Sequence, residues 1–514
     1  MNILGVICLL FMFVTENTEA RNLDWYNEQR QKLIAQETGN FLGSELVLDQ
    51  HEAIFNHDLM AKKRQELATA FYTSVFPPAR PFYQVKPEIE QSRVFQTLQN
   101  LPKGGALHLH DFSITSVDWV IKNVTYRDNL YMCILNSTQS LKFGWFKEPP
   151  AITEDCLWMN VQDTRNFLGT DQVDQALIKH LTIITDTPDK DYPNVNSVWD
   201  KFGKVFSALF SLLANVPVAT DYFYQGFKEF TEDNVQYIEF RTVLPRLCPS
   251  LETCQDPLSQ VESARIIQQV AEKFIQDHPN DNCGIRMIYA PPRFAMEDQV
   301  KQYLDLAVTL RNEMPDFMAG FDLVGQEDKG MPLINFVPIL LDRLDKVDMP
   351  VFFHAGETDW QGQATDLNLF DALLLNTSRI GHGYSIGKHP EAQRLALEKD
   401  VPLEVCPISN QVLKLVDDLR NHPASPLIQS GFPIVISSDD PGIWGAKGLS
   451  YDFYEAFMAL ASASMDLRLL KKLALNSLNY TTLDPEQKDK CLNMFQNKWA
   501  HEVRLHEPKI TTLF

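Results

Sequence analysis

A chain of 514 residues with 45% hydrophobic and 22% charged side chains has the makeup of a soluble globular protein, which excludes disorder as its main theme. Its length exceeds what one small core organises, so it calls for two or three units or for a single α/β barrel with additions. The formal net charge of −21 repels nucleic-acid backbones and anionic membrane surfaces and excludes both as main partners.

The opening stretch MNILGVICLLFMFVTENTEA holds an apolar run from Ile3 to Val14 and ends with Thr18 and Ala20 in small-residue cleavage positions. That run is shorter than the roughly 20 residues that cross a bilayer. Residues 1–20 therefore read as a secretory signal peptide, with the mature chain starting near Arg21, secreted and without membrane insertion. Residues 21–100 carry charge-rich helical patterns such as HEAIFNHDLMAKKRQELATAFY and form a helical extension, which either packs against the rest of the chain or serves oligomerisation.

Next comes ALHLHDFS, residues 106–113. In extended backbone alternate side chains share a face, so His108 and His110 converge on one point. The stretch from His110 to Val235 is far too long for a strand-to-helix loop and predicts an inserted subdomain over 118–190, then helices near 201–213 and 220–232. Of the eight cysteines Cys8 leaves with the signal. The odd remainder in an oxidising compartment means that at least one thiol stays free or pairs between chains. Cys133 and Cys156, flanking a short segment with Trp and Pro, make the most plausible bridge, and the pairing of Cys248, Cys254, Cys283, Cys406 and Cys491 stays open. Glycosylation sequons at Asn123, Asn136, Asn376 and Asn479 fit export.

From about residue 235 short β-rich runs alternate with amphipathic stretches: VQYIEFR, IRMIYA, GFDLVG, VFFHAG, RIGHGY, LEVCP and IVISSDD. Between two of them, 297–314 places Val300, Leu304, Ala307, Arg311 and Met314 at helical spacing, with Arg311 alone breaking the apolar stripe. With GALHLH as the first strand the count reaches that of a closed ring. The expected fold is α/β: a (β/α)8 TIM-type barrel over 101–514, with the N-terminal helical extension and a disulfide-containing subdomain inserted after strand 1. An open doubly wound sheet is the alternative.

The chemistry-bearing residues fall at the strand ends, where such barrels keep their sites. VFFHAGET offers His354 and Glu357, and VISSDDPG offers Asp439 and Asp440. His108, His110, His354 and Asp439 together supply three nitrogens and one carboxylate oxygen with room for a water, which is an open, catalytic Zn2+ pattern. Glu357 is the natural proton donor to a ring nitrogen, and His382 in RIGHGYS can orient and deprotonate the water. Asp440 faces the substrate because neighbouring side chains diverge. Each has a plainer reading: His382 as a packed strand histidine, the Asp-Asp-Pro-Gly run as a turn, Cys406 as a small buried hydrophobe. The tip of GFDLVGQED has no lysine to bridge a second metal, so one zinc per subunit is expected, and Gly325 lets a ligand approach the backbone.

HLH, HAGET, RIGHGYS, LEVCPISN and SSDDP in this order resemble the adenosine deaminases. The signal, extension and long insert resemble their extracellular branch, the adenosine deaminase-related growth factors. The resemblance implies zinc on His108, His110, His354 and Asp439, protonation of adenine N1 by Glu357, water activation by His382, and N7 and N3 held by Asp440 and the Gly325 backbone. It also implies ribose contacts from Asp111 and Trp199, a homodimer built by the extension, and an insert that binds a cell-surface receptor or glycosaminoglycan. The expected reaction is hydrolysis of adenosine or 2′-deoxyadenosine to inosine and ammonia. Two other readings are a signalling ligand that does not need catalysis, and a related hydrolase of AMP, for which no cationic phosphate clamp is evident. The other zinc deaminase plan fails: His389-Pro390-Glu391 matches its first half, but no Cys-x-x-Cys pair accompanies it.

Overall fold

Eight short parallel strands carry the architecture: β1 (Gly104–Ala106), β2 (Val235–Thr242), β3 (Gly284–Tyr289), β4 (Met318–Phe321), β5 (His354–Ala355), β6 (Ile380–His382), β7 (Leu403–Val405) and β8 (Ile434–Ile436). This computed structural model describes residues 22–344 and 346–505, so the signal expected over 1–20 lies outside the described residues. Strands β1 to β4 form one parallel sheet in sequence order and β5 to β8 another. Two single parallel bridges join them. Phe321 pairs with Val351 just ahead of β5, and Leu109, beyond β1, pairs with Asp439, beyond β8. The ring is thereby closed, as the strand count predicts.

Every residue of β2 and β3 is buried, the condition of a sheet covered on both faces. Helices between the strands bury one stripe each. In Glu297–Glu313 the stripe is Val300, Leu304, Ala307 and Leu310. The expected Arg311 is off that stripe: it is half-buried and its Nη1 donates to the Met318 carbonyl at 2.7 Å, because a guanidinium at a helix end keeps its charge by reaching a free carbonyl.

Helices Gln50–Thr73, Phe82–Glu90 and Arg93–Asn100 make the body of the extension. Gln50–Thr73 starts at Asp49, whose Oδ1 accepts from Glu52 N at 2.9 Å while Asp49 N donates to Glu52 Oε2 at 2.9 Å. Glu52 also accepts from Trp499 Nε1 at 2.8 Å, tying the extension to the last helix, Pro485–Leu505. Helix Leu23–Thr38 buries no residue and leaves Leu23, Tyr26 and Leu33 exposed.

After β1 the chain builds a three-stranded antiparallel sheet (Leu130–Ile134, Leu141–Trp145, Met159–Asn160) stapled by Cys133–Cys156, then helices Val161–Leu168 and Thr170–Leu181. Helix Val195–Leu213 returns to the barrel, and its Ser211 Oγ accepts from Phe143 N at 3.0 Å. Asn123, Asn136, Asn376 and Asn479 are all exposed. Two further disulfides join Cys248 to Cys254 and Cys283 to Cys491; Cys406 is a free, buried thiol.

Cys283–Cys491 closes a loop with a sequence separation of 208 and clamps the start of β3 to the last helix. A cross-link of that span constrains the unfolded chain strongly. The double variant Cys283→Ser/Cys491→Ser is expected to lose about 2–5 kcal/mol of unfolding free energy, read by urea denaturation. An unchanged midpoint would refute this.

Candidate metal centre and active site

β1 ends at Ala106, yet pairing continues through the two histidines beyond it. His110 N donates to Asp439 O at 3.1 Å and Asp439 N to His108 O at 3.0 Å. This extended run sends both imidazoles to one side, where β5 brings His354. The ring centroids of His108 and His354 are 4.5 Å apart, and those of His110 and His354 5.4 Å. Asp439 Oδ1 lies 3.0 Å from His110 Nε2 and 3.4 Å from His108 Nε2. Nitrogens of His108, His110 and His354 lie within 4.8 Å of one another, as do the ligand atoms of His108, His382 and Asp439.

The donor set fits a borderline-soft divalent cation. His108 Nε2 is buried with no hydrogen-bond partner, an arrangement that proteins tolerate rarely and that a cation would relieve. Burial pushes His354 down to about 3 and lowers His110, so both offer lone pairs at neutral pH. Burial acts the same way on His108, but the Asp439 and Glu404 carboxylates outweigh it and raise that group.

The supporting shell comes from the barrel interior. His108 Nδ1 meets Glu404 Oε2 at 2.7 Å and His354 Nδ1 meets Asp322 Oδ2 at 2.6 Å, so each ring is held by its far nitrogen and aims Nε2 at the centre. Arg241 spans both carboxylates, with Nε on Asp322 at 2.8 Å and Nη2 on Glu404 at 2.7 Å. Arg379 adds a bond to Glu404 at 2.5 Å and one to Glu239 at 2.7 Å.

Glu357, Asp440 and His382 surround the same point. Burial, then repulsion from Asp439 and Glu327, raises Glu357 well above the usual carboxylate range. Glu327 fixes the Glu357 loop by accepting from Gly356 N at 3.1 Å and Glu357 N at 2.6 Å. Asp440 is likewise raised, by burial and then by adjoining Asp439, and its Oδ1 accepts from Ser113 Oγ at 2.6 Å. Asp439 and His382 hold φ of 56° and 58° without being glycine, which turns their side chains inward at a cost of about 1–3 kcal/mol each.

The cluster floors a cavity of about 660 Å³, lined by His110, Asp111, Trp199, Phe202 and Phe206 among others. A volume in this range suits one small organic ligand. Asp111 is buried, which pushes its carboxyl up to about 7, and it accepts from Thr242 Oγ1 at 2.5 Å. Gly325 lines the wall at φ 107°, a conformation that L side chains rarely adopt. The insert reaches the rim with Thr138 and Ser140.

A family model described as Adenosine deaminase matches residues 176–498, and one described as Adenosine/AMP deaminase N-terminal matches residues 6–98. Adenosine deaminase 2 of Homo sapiens is 42% identical over 96% of this chain and 96% of its own.

The chain belongs to the adenosine deaminase family.

Adenosine deaminase 2-A of Danio rerio is 43% identical over 92% of each chain. Among solved structures, the N6-methyl-AMP deaminase of Arabidopsis thaliana superposes with a TM-score of 0.55 at 17% identity, over 78% of this chain and 98% of that one. A cog1816 amidohydrolase of Burkhoderia ambifaria with bound Zn gives 0.54 at 17%, over 80% and 94%. Both share the fold.

In this adenosine deaminase family member the residues missed by reading motifs are Asp322, Glu404, Arg241 and Glu327. A signal for two was present: the lone acid in GFDLV and in LEVCP, each within a buried apolar strand, has to be paired. Glu404→Gln keeps the size of the side chain but halves its accepting capacity. It is expected to weaken metal affinity about 10- to 100-fold, read by titration against a chelator. Unchanged affinity would remove Glu404 from the site.

Proposed function

We propose that the protein is a secreted, zinc-dependent adenosine deaminase, converting adenosine or 2′-deoxyadenosine to inosine or 2′-deoxyinosine and ammonia. The observation that carries this reading is a three-imidazole, one-carboxylate cluster on the floor of a cavity that suits one small organic ligand, beside Glu357, whose carboxyl is held by burial well above the usual range. Names of the relatives, 40% or more identical across nearly the whole chain, support the same reaction.

His108, His110, His354 and Asp439 would hold the cation. A bound Zn2+ supplies Lewis acidity that makes water nucleophilic near neutral pH. The chain's own residues do the rest. Glu357 hands its proton to purine N1, which draws electrons from C6 and opens it to attack. His382 orients the attacking water. As the water oxygen bonds to C6, one of its two protons leaves with the amine as ammonia and the other returns to the Glu357 carboxylate, the C6–N bond breaks, and the oxygen becomes the carbonyl of inosine. Asp440, protonated, donates to N7, which can only accept. The Gly325 backbone meets N3, and Asp111 and Trp199 take the sugar.

Secretion is supported by three disulfides, which persist in oxidising compartments, and no helix among the described residues is long and apolar enough to cross a membrane. A homodimer through the extension is supported by the exposed apolar side chains of Leu23–Thr38. The insert is assigned the contact with a cell-surface receptor or glycosaminoglycan. The ultraviolet change from adenosine to inosine in zinc-loaded protein, with AMP and guanosine in competition, tests the reading. No turnover at full zinc occupancy would end it.

A further inference from the structure

Behind His382 runs a chain of hydrogen bonds whose direction is fixed at its far end. His382 Nδ1 lies 3.2 Å from Asn410 Nδ2, and Asn410 Oδ1 lies 2.9 Å from His422 Nε2. Beyond that, the backbone N–H of Ala424 donates to His422 Nδ1 at 3.0 Å. A backbone N–H can only donate, so His422 Nδ1 is an acceptor and carries no proton. All three side chains are buried, and burial pushes His422 down to about 3. Its ring is neutral, and its one proton sits on Nε2.

That proton sets every other link. His422 Nε2–H donates to Asn410, which must turn its oxygen toward His422 and its NH2 toward His382. His382 Nδ1 then accepts, which leaves the proton of its neutral ring on Nε2. The other side of the ring agrees independently. Nε2 faces Glu357 Oε1 at 3.6 Å and Asp439 Oδ2 at 3.9 Å. An N–H there meets the Asp439 carboxylate as an acceptor, while a protonated Glu357 accommodates either form of the ring.

We propose that His422, acting through Asn410, locks His382 as its Nε2–H tautomer, so that His382 serves deamination as a hydrogen-bond donor and not as the base that takes the water's proton. The role in deamination rests on the function proposed above; the lock itself rests on the hydrogen bonds alone. With the proton on Nε2 no lone pair faces the water. The N–H instead holds the attacking oxygen and, once Glu357 has protonated N1, stabilises the carboxylate left behind in a dry site. Asn410 and His422 do not line the cavity, so they are positioning residues.

The test is nitrogen-15 NMR of histidine-labelled, metal-loaded full-length protein, with the His382 signals assigned by their loss in His382→Gln. The expected result is an unprotonated Nδ1 and a protonated Nε2. Asn410→Asp reverses the polarity, since a carboxylate accepts from both rings. It is expected to move the His382 proton to Nδ1 and to lower kcat about 10- to 100-fold at constant KM and metal content. His422→Gln, which still donates an N–H to Asn410, should keep the tautomer and most of kcat. A protonated Nδ1 in the wild type, or a reversed tautomer in Asn410→Asp with kcat intact, would overturn the proposal. Absence of adenosine turnover in the wild type would overturn the deaminase reading instead, and the nitrogen shifts would still answer for the lock.

Discussion

His354→Ala is expected to strip the metal and to lower kcat/KM by more than about 10³-fold, because without Lewis acidity no group near C6 makes water nucleophilic at neutral pH. The substitution removes one imidazole nitrogen from a cluster in which His108 and His354 have ring centroids 4.5 Å apart. It also removes one of the two donors to Asp322 Oδ2, which Arg241 Nε still pairs at 2.8 Å, so the barrel interior keeps its charge balance and the chain should fold. Metal content by elemental analysis, the adenosine assay and the melting temperature are read on the same sample. Full metal occupancy in a folded His354→Ala would remove this residue from the ligand set.

Glu357→Gln is expected to lower kcat by about 10²–10⁴-fold with metal retained and KM nearly unchanged. The amide fills the same space and leaves the backbone bonds from Gly356 N and Glu357 N to Glu327 in place. What it lacks is a proton to give N1 while the purine is still neutral. Loss of the metal together with activity would turn Glu357 into a ligand and not an acid. The two variants thus separate the two halves of the chemistry, one through the cation and one through the proton.

Much of this site is legible in the sequence because ligand chemistry is local. Two histidines one residue apart in extended backbone share a face wherever the strand goes. The divergence expected of Asp439 and Asp440 is not found, because Asp439 takes φ 56° and its ligand oxygen lies within 4.8 Å of that of Asp440. The rhythm of strands and helices after residue 235 reads as a parallel ring, and the ring puts every strand end at one mouth. Helical spacing alone does not say that Leu310 completes the buried stripe beside Arg311; the burial of Leu310 and the bond from Arg311 to the Met318 carbonyl decide it.

Residue types and their spacing therefore determine the class of fold and the family, and they mark the candidate metal-binding and proton-donating groups. Tertiary structure alone decides that Asp322 and Glu404 stand behind His354 and His108, that Cys283 pairs with Cys491, that the insert reaches the rim of the cavity, and which nitrogen of His382 carries its proton. These depend on contacts between segments far apart in the chain. Such contacts are set by how the whole ring closes, and no local period of 2 or 3.6 residues encodes them.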